Sequence, residues 1–370
     1  YRSAAEQGHA GAQIEVGRHY ERGEVMARSL PTAAHYYRLA AEQEDPNGLV
    51  CLAKCHLRDP DAYGLAKEDS EGNLNELFHE GIAYDLLMQA AKSNHADAEY
   101  EIAKFIEQGR GGFSDREVGY AGDGFDEERS QGFVTVEDQL RVKALKIYVR
   151  AAKLGSLSAQ QKVFWFYLTG QMGGSYDAER ITYWGGQLIN HPDCDPESLR
   201  DLGQNVEREA SRIRSMEDMK DMFSSAVFHA NPDTSETWVT SLYQQALDAY
   251  KKAYSMGCKD SALSAAKIYL FGPDGLRDEA IAFDLSNRSQ SEYGPDRDEF
   301  MAYCYSRGLG CTVNYEEAIK LLEKACSEMA ASGHNFGLSR AAYEVGQLYE
   351  RYENSDKAKL AFSWNCKGES

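Results

Sequence analysis

Residues 12–23, Ala12-Gln13-Ile14-Glu15-Val16-Gly17-Arg18-His19-Tyr20-Glu21-Arg22-Gly23, followed at 33–41 by Ala33-Ala34-His35-Tyr36-Tyr37-Arg38-Leu39-Ala40-Ala41, decide the fold. In the first stretch small residues stand at 12 and 17, a large one at 20 and a glycine at 23. Steps of 5, 3 and 3 on a helix of about 3.6 residues per turn keep these positions on one narrow face. Small side chains there let two helices approach closely, and the aromatic ring fills the space beside them. Gly23 is then expected to end the helix in left-handed φ, which glycine adopts without steric cost. The second stretch places Ala33 and Ala40 seven residues apart, two turns of a second, antiparallel helix.

Both patterns recur. The first returns as Ala98, Ala103, Ile106, Gly109 and as Ser261, Ala266, Tyr269, Gly272. Ala159, Phe164, Tyr167, Gly170 replaces the second small residue, and Arg297, Ala302, Tyr305, Gly308 replaces the first. Gly48, Ala53, His56 and Ala341, Gly346, Tyr349 lack the closing glycine. The second returns as Ala83/Ala90, Ala144/Ala151, Ala178/Gly185, Ala246/Ala253 and Ala318/Ala325, with weaker copies at Ala280/Asn287 and Ala358/Asn365. Leading alanines are separated by 50, 61, 34, 68, 34, 38 and 40 residues. The base period is thus 34–40, and the step of 68 reads as a doubled one hiding a degenerate unit near Ser198, Gly203 and Val206. One such hairpin cannot bury its apolar face alone, so neighbours must stack. Alternating strand patterns are absent. The fold class is all-α, an α-solenoid of stacked antiparallel helix pairs.

Ala4-Ala5-Glu6-Gln7-Gly8 with Ala12, Gly17, Tyr20, Gly23 and Ala33…Tyr36-Tyr37…Ala40-Ala41 resembles the Sel-one-like repeat family, a relative of tetratricopeptide repeats. Tyr315-Glu316-Glu317-Ala318…Leu321-Leu322…Lys324-Ala325 is similar to its second half. The likeness covers most of the chain in roughly eight or nine units, and residues 59–80, 110–139 and 190–245 depart from it. Residues 1–189 therefore read as an N-terminal array with insertions at 59–80 and 110–139. Residues 190–245 read as a degenerate repeat or irregular hairpin, or a hinge, and 246–370 as a C-terminal array. The opening residues read as the end of a helix, so a longer parent chain is expected.

Composition narrows the function. With 40 Lys+Arg against 59 Asp+Glu the formal charge is 40 − 59 = −19, unsuited to phosphate backbones or anionic membrane surfaces. Protein partners, with basic character favoured, remain. The longest uncharged run, Val163–Tyr176, is 14 residues, short of the roughly 20 a membrane span needs. Eight cysteines show neither CxxC pairs nor zinc-finger spacing, and read as reduced, partly buried side chains in a reducing, cytoplasmic-type compartment.

Catalytic patterns fail on inspection. Ser264-Ala265-Ala266-Lys267 has Ser-x-x-Lys spacing, but lacks its Ser-Asp-Asn and Lys-Thr-Gly companions and falls on packing positions. No phosphate loop or zincin helix occurs, and His95 and Glu99 are one turn apart as many surface pairs are. Asp123-Gly124-Phe125-Asp126-Glu127-Glu128, in the glycine-rich insertion, lacks the order of a calcium loop. No cofactor or metal is expected.

The resemblance implies instead a concave groove lined by the first helix of each hairpin. By analogy with tetratricopeptide repeats, the residue after each central small position and the one three before it face that groove. These are Arg18 and Ile14, Lys104 and Tyr100, Trp165 and Gln161, Lys267 and Leu263, Tyr303 and Glu299, Gln347 and Tyr343. The expected function is a non-catalytic scaffold or adaptor that holds a protein or extended peptide. The alternatives are a regulatory repeat domain of a larger enzyme, or an enzyme with its site in the 110–139 or 190–245 insertion.

Overall fold

A computed structural model describes residues 1–65, 76–110, 136–169, 178–222, 236–289, 294–332 and 335–351, which hold sixteen α-helices and no strand. They divide into two compact units, Tyr1–Leu188 and Ile189–Ser370. Unit 1 begins with α1 (Arg2–Glu6), followed by α2 (Ala10–Arg22), α3 (Leu30–Ala41), α4 (Pro46–Arg58), α5 (Glu76–Ala91) and α6 (Ala96–Glu107). It continues with α7 (Val136–Lys153), α8 (Leu157–Thr169) and α9 (Ala178–Asn190), the last reaching the division. Unit 2 holds α10 (Pro196–Met222), α11 (Glu236–Ser255), α12 (Asp260–Phe271), α13 (Glu279–Arg288), α14 (Gly294–Arg307), α15 (Tyr315–Ser332) and α16 (Asn335–Arg351). In unit 1 each helix from α1 to α8 packs on the next; in unit 2 each from α10 to α16 does. That is the stacking of antiparallel hairpins the spacing predicts.

The alanine and glycine positions are the contacts. Ala33, Ala40, Ala83, Ala90, Ala144, Ala151, Ala246, Ala253, Ala318 and Ala325 are all 0% exposed, as are Ala53, Ala103, Ala266 and Ala302 on the first helices. Gly48 lies so close to α3 that a Cβ there would stand 2.7 Å from the Cβ of Ala40. Helix ends are fixed locally. Asp45 caps α4, its Oδ1 accepting from the amides of Asn47 and Gly48 at 2.9 and 3.1 Å. Asp278 and Asn314 cap α13 and α15 in the same manner.

Four expectations need correction. Gly23, Gly109 and Gly308 take positive φ as expected, but Gly272 ends α12 at φ −68°. Its hydrogen is required for a different reason, since a Cβ would stand 2.4 Å from the carbonyl oxygen of Ile268. The weak pair Ala280/Asn287 is out of register by two: Ala280 is exposed, while Ala282 and Ser289 are buried. With Ala282 the steps become 282 − 246 = 36 and 318 − 282 = 36. The 68-residue step holds a single lengthened hairpin, because α10 runs unbroken through Ser198, Gly203 and Val206 to Met222 and packs directly on α11. Finally, helices α5 and α7 extend into the stretches read as insertions, so Glu76–Glu80 and residues 136–139 are helical. Residues 66–75 and 111–135, with the expected glycine-rich loop, lie outside the described residues, as does the Ala358/Asn365 copy.

Candidate functional site

In unit 1 the first helices touch side by side, α2 on α4, α4 on α6 and α6 on α8, and among the described residues the second helices meet one another less. The first-helix side is therefore the tighter side of this stack. Arg18, Lys54 and Lys104 follow the central small position and Trp165 follows Phe164 in the same frame, so the four occupy equivalent places along the row. Arg18 pairs with Glu15 at 2.6 Å, and Lys54 reaches across from α4 to Glu101 on α6 at 3.3 Å. Lys104 stands 3.8 Å from the other oxygen of Glu101. Trp165 is 37% exposed, a large apolar surface left in water. Lys54 and Glu101 were not among the residues expected to line the groove. The rule that selects Arg18 also selects Lys54, which follows Ala53 in the same frame.

On α2, α6 and α12 the position three before the small residue behaves differently. Ile14 is 3% exposed and Leu263 is buried too, so neither offers its side chain to a partner, correcting the expectation. Tyr100 shows why: its ring turns inward, 5.6 Å from that of Tyr148 on its own hairpin partner α7. Burial first, then the charges of Glu101 and Glu107, pushes the Tyr100 hydroxyl up from its ordinary range. Gln161 on α8 is half-buried.

A second recurrent device fastens three hairpins. Four residues past the central small position stand Glu21, Glu107 and Glu207; four past the leading alanine of the next helix stand Tyr37, Tyr148 and Tyr250. Each tyrosine hydroxyl donates to its glutamate at 2.7 Å. Two of these rings lie directly on glycine, for a Cβ at Gly17 would meet Tyr37 Cε1 at 2.5 Å and one at Gly203 would meet Tyr250 Cε1 at 2.7 Å. Glu21 also accepts from Tyr63 at 2.7 Å and pairs with Arg58 at 2.8 Å. Burial opposes its ionisation, but the hydrogen bonds of Tyr63 and Tyr37 and the charge of Arg58 prevail and hold its carboxyl below the usual range. Glu207 goes the other way: burial raises it, against Tyr250 and Lys267. Glu107 is joined by Lys162 at 3.0 Å, which also lies over the Phe166 ring at 5.2 Å.

Unit 2 presents its expected residues separately. Among the described residues its first helices α10, α12, α14 and α16 approach one another less than those of unit 1. Lys267 is half-buried near Glu207. Tyr303 is stacked under Arg307 at 3.8 Å and meets the exposed ring of Phe271 at 5.4 Å. Tyr343 and Gln347 are exposed on α16, one turn apart, and Glu299 is paired with Arg340.

The discarded chemical patterns have structural employment. Ser264 and Lys267 lie on α12, the helix that packs against α11. His95 caps α6, its Nδ1 accepting from the Ala98 amide at 3.3 Å, and Glu99 is buried against Arg150 at 2.9 Å. Among the described residues no three His, Cys, Asp or Glu side chains are placed to hold a metal ion, and no helix is long and apolar enough to cross a membrane. The seven described cysteines are free thiols.

The Sel1 repeat model matches residues 10–45, 130–156 and 299–328. No curated protein matches the chain. Among solved structures, c5321 of uropathogenic Escherichia coli, a protective antigen displaying an SLR fold, is similar at 18% identity and a TM-score of 0.45, over 100% of this chain and 63% of its own length. A Sel1 repeat protein from Oxalobacter formigenes is similar at 18% identity and a TM-score of 0.41, over 76% of this chain and 87% of its own. This chain thus spans less than two thirds of the c5321 structure. Sel1 repeats are typically protein-interaction modules, and three stretches of this all-helical chain carry them.

Proposed function

We propose that the chain is a non-catalytic scaffold that holds an extended segment of a protein partner along the α2–α4–α6–α8 row. The observation that carries this reading is the side-by-side contact of these helices with Arg18, Lys54, Lys104 and Trp165 at equivalent places. A repeating row of this kind reads an extended chain by offering it the same geometry at each step. Trp and Arg are the side chains that most often dominate binding energy. Cations at 18, 54 and 104 alternate with Glu15 and Glu101, so the bound segment carries both signs, while the overall charge of −19 favours a partner with basic character elsewhere. In unit 2, Lys267, Tyr303, Tyr343 and Gln347 are proposed as separate contacts.

The test is affinity capture with the chain as bait, identification of the retained protein, and titration of that purified protein. The triple substitution Arg18→Ala, Lys104→Ala, Trp165→Ala is expected to weaken binding at least tenfold while leaving the helical circular dichroism unchanged. Asp85→Ala, exposed on the second helix α5, is expected to leave binding intact. Equal affinity of wild type and triple variant would remove the row from the partner site.

A further inference from the structure

His56, in the last turn of α4, and His79, near the start of α5, meet Nδ1 to Nδ1 at 3.0 Å with their rings 5.2 Å apart. His79 is 3% exposed, and its Nε2 is buried with no hydrogen-bond partner. Imidazole chemistry makes this a constrained pair. A neutral ring carries one N–H and a protonated ring carries two. One proton between the facing Nδ1 atoms makes a hydrogen bond; two set donor against donor and charge against charge. A first proton is also unwelcome. On His56 it faces Arg38 of α3, and the Nε2 of His79 on the far side of the pair is already buried without a partner. The neighbouring carboxylates are engaged elsewhere: Glu80 of α5 by Arg110 at 2.6 Å, and Glu21 of α2 by Arg58, Tyr37 and Tyr63.

We propose that the His56–His79 pair is an acid-sensitive latch on the α4–α5 hairpin, closed by the contact of the two rings and released when His56 takes up a proton. Burial first, then His79 and Arg38, holds His56 down at about 4, below the ordinary histidine value of 6.5. A folded-state value below the unfolded one means the latch is at full strength above pH 6.5 and weakens as the pH falls from there towards 4. At pH 5, where ordinary carboxylates are still largely ionised, the loss amounts to about 30-fold in the closing equilibrium. Because α4 lies between α2 and α6, release would interrupt the row of first helices, but the latch itself requires no partner.

The test is amide hydrogen exchange of the whole chain at pH 7.5 and 5.0, corrected for intrinsic rates. Opening of α4 and α5 is expected to rise about 30-fold, and less than fivefold in His56→Gln, which takes up no proton. Should that variant not fold, the imidazole resonances of the unaltered chain decide: His56 is expected to stay neutral at pH 5. An opening change under threefold, an undiminished slope in His56→Gln, or a His56 ring already protonated at pH 6 would each overturn the proposal.

Discussion

Replacing Gly17 by alanine tests the close approach on which the hairpins depend. The new Cβ would stand 2.5, 2.9 and 3.1 Å from Cε1, Cδ1 and Cζ of Tyr37, where carbon atoms prefer about 3.5–4.0 Å. The ring must therefore recede by about 1 Å, yet it is buried and held at its hydroxyl by Glu21 at 2.7 Å. Overpacking of this kind costs about 1–3 kcal/mol, and the better helix propensity of alanine returns about 1. With the ring tethered, the net expectation is a loss of about 1–2 kcal/mol. Gly81 on α5 supplies the control, being exposed with nothing within 4 Å of its would-be Cβ. There the same substitution is expected to add about 0.5–1 kcal/mol. Urea unfolding followed by helical circular dichroism measures both, and the fluorescence of Trp165 and Trp184 reports on unit 1 once Trp238 and Trp364 are replaced by phenylalanine. Gly203→Ala against Tyr250 should repeat the loss in unit 2, and Tyr37→Leu should relieve much of it in unit 1. A neutral Gly17→Ala, or the same sign at Gly17 and Gly81, would refute the reasoning.

Glu44 holds φ +58° at the turn that leads from α3 to α4, a conformation costly for any residue with a Cβ. Glu44→Gly is expected to raise stability by about 1 kcal/mol, measured by thermal unfolding. Arg150→Ala would leave the fully buried Glu99 without its cation, a loss of up to about 3 kcal/mol at neutral pH. Burial already raises the Glu99 carboxyl against the pull of Arg150, so the variant's deficit is expected to shrink towards pH 5 as that group protonates; a deficit that grows on acidification would contradict this. Glu21, by contrast, is held below the usual range, so its network stabilises above that range and is lost as the pH falls through the folded value. Glu21→Gln is expected to cost about 1.5–3 kcal/mol at pH 7 and to flatten that part of the acid-unfolding profile.

What was legible in the sequence is what is local. Ala33/Ala40 and Ala98/Ala103 recur because helix pitch alone places them on the packed face, and each is found fully buried. Between Ala280 and Ala282 the pitch does not discriminate, as both are small and two apart; only the tertiary contact selects Ala282. The 68-residue step misled for a related reason, since a helix lengthened to Met222 occupies the same stretch as a missing hairpin. Left-handed turns after the second helices were also in plain sight at Gly8, Gly155 and Gly257, but Glu44 and Asn94 hold the equivalent places and break the glycine pattern. For the row, the position after the small residue comes from the likeness to tetratricopeptide repeats, since pitch alone names the packed face and not the open one. The inward turn of Ile14 was not legible, because it depends on the neighbouring helix that Tyr100 reveals through Tyr148.

The tyrosine–glutamate fasteners are unevenly distributed. In unit 1 they join α2 to α3 and α6 to α7, while the intervening α4–α5 pair has Leu87 where the others have tyrosine. Since a stack of this type comes apart by its weakest rung, mechanical pulling on unit 1 should yield an early event at the middle hairpin. The rungs on either side would hold to higher force, so the unit resembles a chain with a built-in fuse more than a uniform spring.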